Sequence, residues 1–216
     1  MAQVFPRYTN TLSRATAVAV AGLLVAVLWL WGRIQRSPYT SDVRIAKEQP
    51  VPFSHEHHVS GLGLDCRYCH TSVETSAFAG IPPTATCMNC HRQIWNEAPM
   101  LEPVRESFKT GKPLSWVRVH DLPDFAYFDH SIHVDRGVGC ASCHGRVDRM
   151  PLTWQTAPLT MGWCLDCHRD PAPHLRDRKD VFRMDWSPAE DQVAVAHQRM
   201  TDRDIHPPTN CSTCHR

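Results

Sequence analysis

Five copies of one five-residue word carry the reactive side chains of this chain: CRYCH, CMNCH, CASCH, CLDCH and CSTCH. They set out Cys66, Cys69 and His70; Cys87, Cys90 and His91; Cys140, Cys143 and His144; Cys164, Cys167 and His168; and Cys211, Cys214 and His215. CxxCH is the pattern of covalent c-type haem attachment. Two thiols add across the porphyrin vinyl groups, and the histidine after the second cysteine reaches the iron as proximal ligand. Zinc knuckles also use CxxC pairs, and an even cysteine count permits disulfides. Neither needs a histidine directly after every pair, and all 10 cysteines lie inside the word. The expectation is five covalently attached haem c groups.

A haem iron held by one histidine keeps an open face for oxygen or substrate, whereas a second protein ligand closes it and leaves electron transfer. The chain has 14 histidines, enough for a second ligand at every haem. FSHEHHV at 53–59 repeats as FDHSIHV at 128–134. Two histidines three apart on a helical turn diverge, so one reaches the haem just downstream and the other a neighbouring haem. His55, His58, His130 and His133 are therefore expected as distal ligands, with His120 in WVRVHDLPD as the fifth. Methionine can replace histidine and raise the potential. Met150, Met161 and Met184 are candidates for one such haem, although an isolated methionine more often packs against the porphyrin. His57, His174 and His197 are weaker candidates, and His206 lies too near Cys211 to swing over its own haem.

The repeat also sets the organisation needed to hold these residues. Each FxHxxH is followed by one CxxCH and then by a second ending in arginine, CMNCHR or CLDCHR. This gives two dihaem modules, 53–92 and 125–169, joined by a linker at 93–124 and followed by a C-terminal segment at 170–216 with the fifth motif. The linker is expected to hold a short helix around 99–109 and a strand-like SWVRVH. Residues 1–36 form a membrane anchor helix built on the uncharged run Ala15 to Trp31, at the short end of what spans a bilayer. Trp29 and Trp31 stand where an interfacial aromatic belt would lie. A cleaved signal peptide is the alternative. Residues 37–52, with proline near both ends, read as an extended tether. Because c-type haems are attached outside the cytoplasmic membrane, the haem domain is expected on its periplasmic or extracytoplasmic side.

The bulk composition agrees with this plan. A net charge of +1 gives no reason to expect nucleic-acid binding. Seventeen prolines against 10 glycines favour short helices and many loops. Few apolar runs follow residue 36, so haem plates must stand in for much of an ordinary core. The fold class expected is a loop-rich multihaem cytochrome c with short helices wrapped around five haems, plus one N-terminal transmembrane helix.

The FxHxxH and CxxCH succession over 53–169 resembles class III multihaem proteins of the cytochrome c3 and c7 type. EQPVPFSHEHHVSGLGLDCRYCH, GIPPTATCMNCH, WVRVHDLPDFAYFDHSIHV, PLTMGWCLDCHR and VFRMDW, behind a single anchor, resemble the pentahaem subunit family of alternative complex III. That resemblance implies a quinol-oxidising membrane complex. Its implied partners are an iron-sulfur subunit of molybdopterin-oxidoreductase type, a monohaem cytochrome c and polytopic quinol-binding subunits, with a soluble acceptor downstream. It implies an electron relay with no catalytic site of its own. Two other classes stay open: a stand-alone, single-helix quinol dehydrogenase of the NapC/NirT type, and a multihaem reductase with an open haem. The reductase commonly shows an altered motif such as CxxCK, and all five motifs here are unaltered.

Overall fold

A computed structural model describes residues 4–215. The chain divides into two units, Met1–Asp42 and Val43–Arg216. In the first, α1 (Thr9–Gln35) is a 27-residue helix, about 40 Å long at the usual rise. Its alanine, leucine and valine run favours helix, and it has the length and composition to cross a membrane, as an anchor or a signal sequence. It stops where Ser37 Oγ donates to the carbonyl of Ile34 and Pro38 opens the short α2 (Pro38–Ser41).

The tether expected at 37–52 is divided. Its first residues form α2, whereas Val43 and Ala46 bridge Gln155 and Trp154 within the second unit. The cause is apolar burial at its far end. Val51 packs with Met88, Leu101 and Val104 into one small core cluster, so this stretch is anchored rather than free.

The second unit is an arrangement of short helices: α3 (Cys66–Cys69), α4 (Thr84–His91), α5 (Glu102–Thr110), α6 (His130–Arg136), α7 (Cys140–His144), α8 (Met161–Arg169), α9 (Gln192–Asp202) and α10 (Cys211–Cys214). A single π-helical turn occupies Glu56–Gly61. The helix expected around 99–109 forms as a 3-10 turn at Pro99–Leu101 running into α5, which Gly111 closes in the left-handed conformation. The strand expected at SWVRVH does not form, since no neighbouring strand is present among the described residues. Gln49 takes its place: its side-chain amide donates to the Val117 carbonyl at 2.8 Å and accepts from the Val117 N–H at 3.0 Å. A second apolar cluster, Ala172, Leu175, Ala196 and Ile205, joins α9 to the segment before it.

Candidate haem centres

Every CxxCH begins or lies within a helical turn, which carries its two cysteines three positions apart onto one face. Local capping starts two of these turns. Asp65 accepts from the Arg67 N–H ahead of α3, and Thr160 accepts from the Trp163 N–H ahead of α8. The proximal imidazoles are then fixed by backbone carbonyls. Nδ1 of His70 donates to Gly80 at 2.7 Å, of His91 to Ile94 at 3.2 Å, of His168 to Pro208 at 2.7 Å and of His215 to Phe125 at 3.0 Å. A carbonyl only accepts, so Nδ1 carries the proton and Nε2 keeps its lone pair for a metal.

The duplicated FxHxxH segments repeat in three dimensions. Phe53 stacks on His58 with ring centroids 4.5 Å apart and meets His55 edge-on at 4.9 Å. Phe128 does the same to His133 at 4.4 Å and His130 at 4.8 Å. The polar ends are held as at the proximal residues. His58 Nδ1 donates to Ser54 O, His130 to Ala77 O and His133 to Asp129 O, while His55 Nδ1 pairs with Thr153 Oγ1. The phenylalanine is thus a wedge that splays the two histidines, a role the sequence pattern left unassigned.

Each splayed histidine faces one proximal histidine. Ring centroids are 6.5 Å apart for His55 and His70, 6.1 Å for His58 and His91, 6.3 Å for His130 and His144, and 6.1 Å for His133 and His168. Two imidazoles bound trans to one metal ion, each through a bond of about 2 Å, put their centroids roughly 6 Å apart. The four pairs therefore fit an iron between them. Their ring planes fall into two classes, near-parallel at 10° and 16° for the first and third motifs, crossed at 68° and 48° for the second and fourth. Electron paramagnetic resonance of the oxidised protein should accordingly resolve rhombic and strongly axial low-spin signals in comparable amounts. A single low-spin class, or a dominant high-spin signal, would contradict this ligand geometry.

Burial tunes the same groups toward ligation. It pushes His144 down to about 3, aided by His120 and His130. His55 falls to about 4 through burial, then His70 and His58, and burial lowers His133 as well. All three are neutral imidazoles at physiological pH, the form that binds metal. Burial drives the thiols the other way, Cys140 up to about 11 and Cys143 up to about 12. No group of three or more histidine, cysteine or carboxylate side chains placed to hold a metal ion gathers among the described residues. The ten thiols form no disulfide.

After burial, a thiol of a neighbouring motif adds to the upward shift of four cysteines, which marks that motif as a neighbour in space. Cys69 feels Cys87, Cys140 feels Cys66, Cys143 feels Cys167, and Cys164 feels Cys214. The motifs thus follow one another in the order second, first, third, fourth, fifth.

The remaining candidates separate. His120 lies 4.3 Å from His144, edge-on, beside the third motif; this is closer than a trans pair requires. Its buried Nε2 has no hydrogen-bond partner, and burial holds the ring at about 4. The ring beside His215 is Phe125 at 5.7 Å, with no facing imidazole among the described residues. Met150 and Met184 are buried, whereas Met161 is 68% exposed at the start of α8. His206 is engaged through Nε2 by Asp204, and His57 lies against Trp95.

This arrangement has the features of a multihaem c-type cytochrome, and two comparisons with known proteins bear on it. Residues 132–216 match the cytochrome c3 family, so this part of the chain is a cytochrome c3-like multihaem domain. The chain is also 37% identical over 125 residues to a protein of Nitratidesulfovibrio vulgaris strain Hildenborough named "Menaquinone reductase, multiheme cytochrome c subunit". The match covers 57% of this chain and 56% of that relative, so the chain spans little more than half of the relative it matches.

Proposed function

We propose that the chain binds five haem c groups through its five CxxCH motifs and relays electrons, one at a time, inside a membrane-bound complex that exchanges them with the quinone pool. The observation carrying this reading is the continuous succession of motifs, four of them with a histidine pair at trans-ligand spacing. Haem c supplies reversible one-electron chemistry when bound; the chain's own residues position it and exclude water. Closed iron faces favour transfer over substrate chemistry. Helix α1 would serve as anchor, with the haem domain on the extracytoplasmic side where such haems are attached.

The name of the relative supports a quinone-linked complex, and the sequence resemblance points to the alternative complex III type. Its expected neighbours are an iron-sulfur subunit, a monohaem cytochrome c and quinol-binding membrane subunits, passing electrons to a periplasmic acceptor. Intact mass of the protein purified from membranes should show five haem increments, and those subunits should accompany it. Fewer increments, or a chain that purifies alone and accepts electrons directly from quinol, would overturn the relay in a complex.

A second reading, a reductase with one open haem, draws on the absence of an imidazole facing His215. The relay reading assigns the closing ligand there to Met161, which is exposed on α8 where Cys164 approaches Cys214. Rapid carbon monoxide binding to the reduced wild-type protein would favour the reductase. Binding that emerges only in Met161→Ala supports the relay.

A further inference from the structure

The segment following α8 carries a buried cation, Arg176, that makes no direct ion pair among the described residues. Arg176 is 3% exposed. Its Nη1 donates to the carbonyls of Arg183 at 3.1 Å and Asp180 at 3.5 Å, and its Nη2 to Ser142 Oγ at 3.4 Å. The guanidinium carbon lies 4.3 Å from the centre of the Trp186 ring, and Nε is buried without a partner. Three neighbouring arginines are paired: Arg178 with Asp135, Arg183 with Asp180 at 3.1 Å and Asp185 at 3.7 Å, Arg199 with Asp177 at 3.0 Å. Asp177, the next residue, is taken by Arg199, and Asp180, whose charge does act on Arg176, makes its direct pair with Arg183.

The chain is built to hold that charge against the third motif. Gly139, which caps α7, sits so close to Arg176 that a Cβ there would fall 1.9 Å from the guanidinium carbon. At Gly137, φ is +91° and a Cβ would fall 2.3 Å from the Arg176 carbonyl, which follows the bridge between Val138 and Leu175. Ser142, inside CASCH itself, binds the guanidinium. A buried cation without a direct ion-pair partner is costly for a structural role alone, and arginine does not shed its proton in proteins. Burial weighs on this charge, pressing its pKa below the usual guanidinium range.

We propose that Arg176 sets the reduction potential of the haem attached at Cys140 and Cys143, holding it above the value the same ligands would give alone. The proposal rests on the reading that this motif binds haem. Going from ferric to ferrous iron removes one positive charge, so a fixed buried cation beside the haem destabilises the oxidised form relative to the reduced. The third motif lies in the middle of the succession, between the first and the fourth. Raising its potential makes it the station where an electron dwells, drawing electrons in from either side. Arg176 is a positioning and tuning residue, and it touches no reacting atom.

The test is a spectroelectrochemical titration of the full haem-loaded protein with Arg176→Gln and Arg176→Lys. In Arg176→Gln one component of the titration should become about tenfold harder to reduce at a fixed potential, equivalent to about 59 mV for one electron. The other components should stay in place, and the shift should persist at high salt because the charge is buried. Arg176→Lys keeps the charge and should titrate close to wild type; equal shifts in both variants would reduce the residue to packing and overturn the proposal. So would an unmoved titration of Arg176→Gln with full haem content. Should Arg176→Gln lose haem, Gly139→Ala, which forces the guanidinium away without removing it, should produce the same single shift, and no shift overturns the idea. Absence of haem on Cys140 and Cys143 in the wild type, read by peptide mass, would instead remove the reading beneath it.

Discussion

Replacing His58 by alanine should open the haem at His91, not the one at His70, which is the motif nearest in sequence. The His58 and His91 rings face each other at 6.1 Å, whereas His55 takes the position opposite His70 at 6.5 Å. A cavity left by His58 cannot be filled by His55, because Phe53 stands between their rings and His55 is held through Nδ1 by Thr153. One haem should therefore turn high-spin and bind carbon monoxide in each variant, with different signals lost. His58→Ala should remove a strongly axial low-spin signal and His55→Ala a rhombic one. His133→Ala and His130→Ala should reproduce the pair of effects at the other module. Loss of the same signal from both members of a pair would contradict the assignment of ligands to motifs.

The chain made without haem should not fold. Its second unit offers two small apolar clusters, one around Val51, Met88, Leu101 and Val104, the other around Ala172, Leu175, Ala196 and Ile205. The largest side chains wholly withdrawn from solvent are Leu175 and Val181. That is too little to offset the backbone entropy of so many ordered loop residues, which costs about 1–2 kcal/mol each. Haem plates and iron bonds must supply the difference, as metal does in small metal-dependent domains. The Val43–Arg216 unit with serine at its motif cysteines should give a disordered circular dichroism spectrum and uniformly fast amide exchange. A cooperative thermal transition in that protein would show that the polypeptide holds its own fold.

The five CxxCH motifs could be read directly from the sequence, because the covalent chemistry they imply requires fixed spacing and identity. The FxHxxH duplication was legible for the same reason, since both copies must splay two imidazoles at one separation. What lay outside the sequence was carried by backbone atoms. The carbonyls of Gly80, Pro208, Phe125 and Ala77 orient four imidazoles, yet any residue type supplies a carbonyl. His120 shows a different limit. A lone histidine between an extended run and a proline turn could be expected to serve a haem, but its place beside His144 depends on long-range packing. SWVRVH alternated like a strand and stayed single because its partners are the side chains of Gln49 and Lys47 rather than a second strand.

The long span of the contacts around the imidazoles has a consequence for how the protein is made. His55 is oriented by Thr153, 98 residues further along, His130 reaches back 53 residues to Ala77, and His215 reaches back 90 to Phe125. A chain emerging amino end first can receive its earliest haem as soon as Cys66 to His70 are presented, but the histidine meant for that haem's other face has no support until residue 153 arrives. If His55 closes that haem, as the proposed relay requires, early haems would wait half-ligated until the later part of the chain arrives. During that interval their open iron faces would be exposed to adventitious ligands and peroxide, so a chain interrupted before residue 153 should yield a heat-labile, oxidation-damaged product rather than a shorter functional cytochrome.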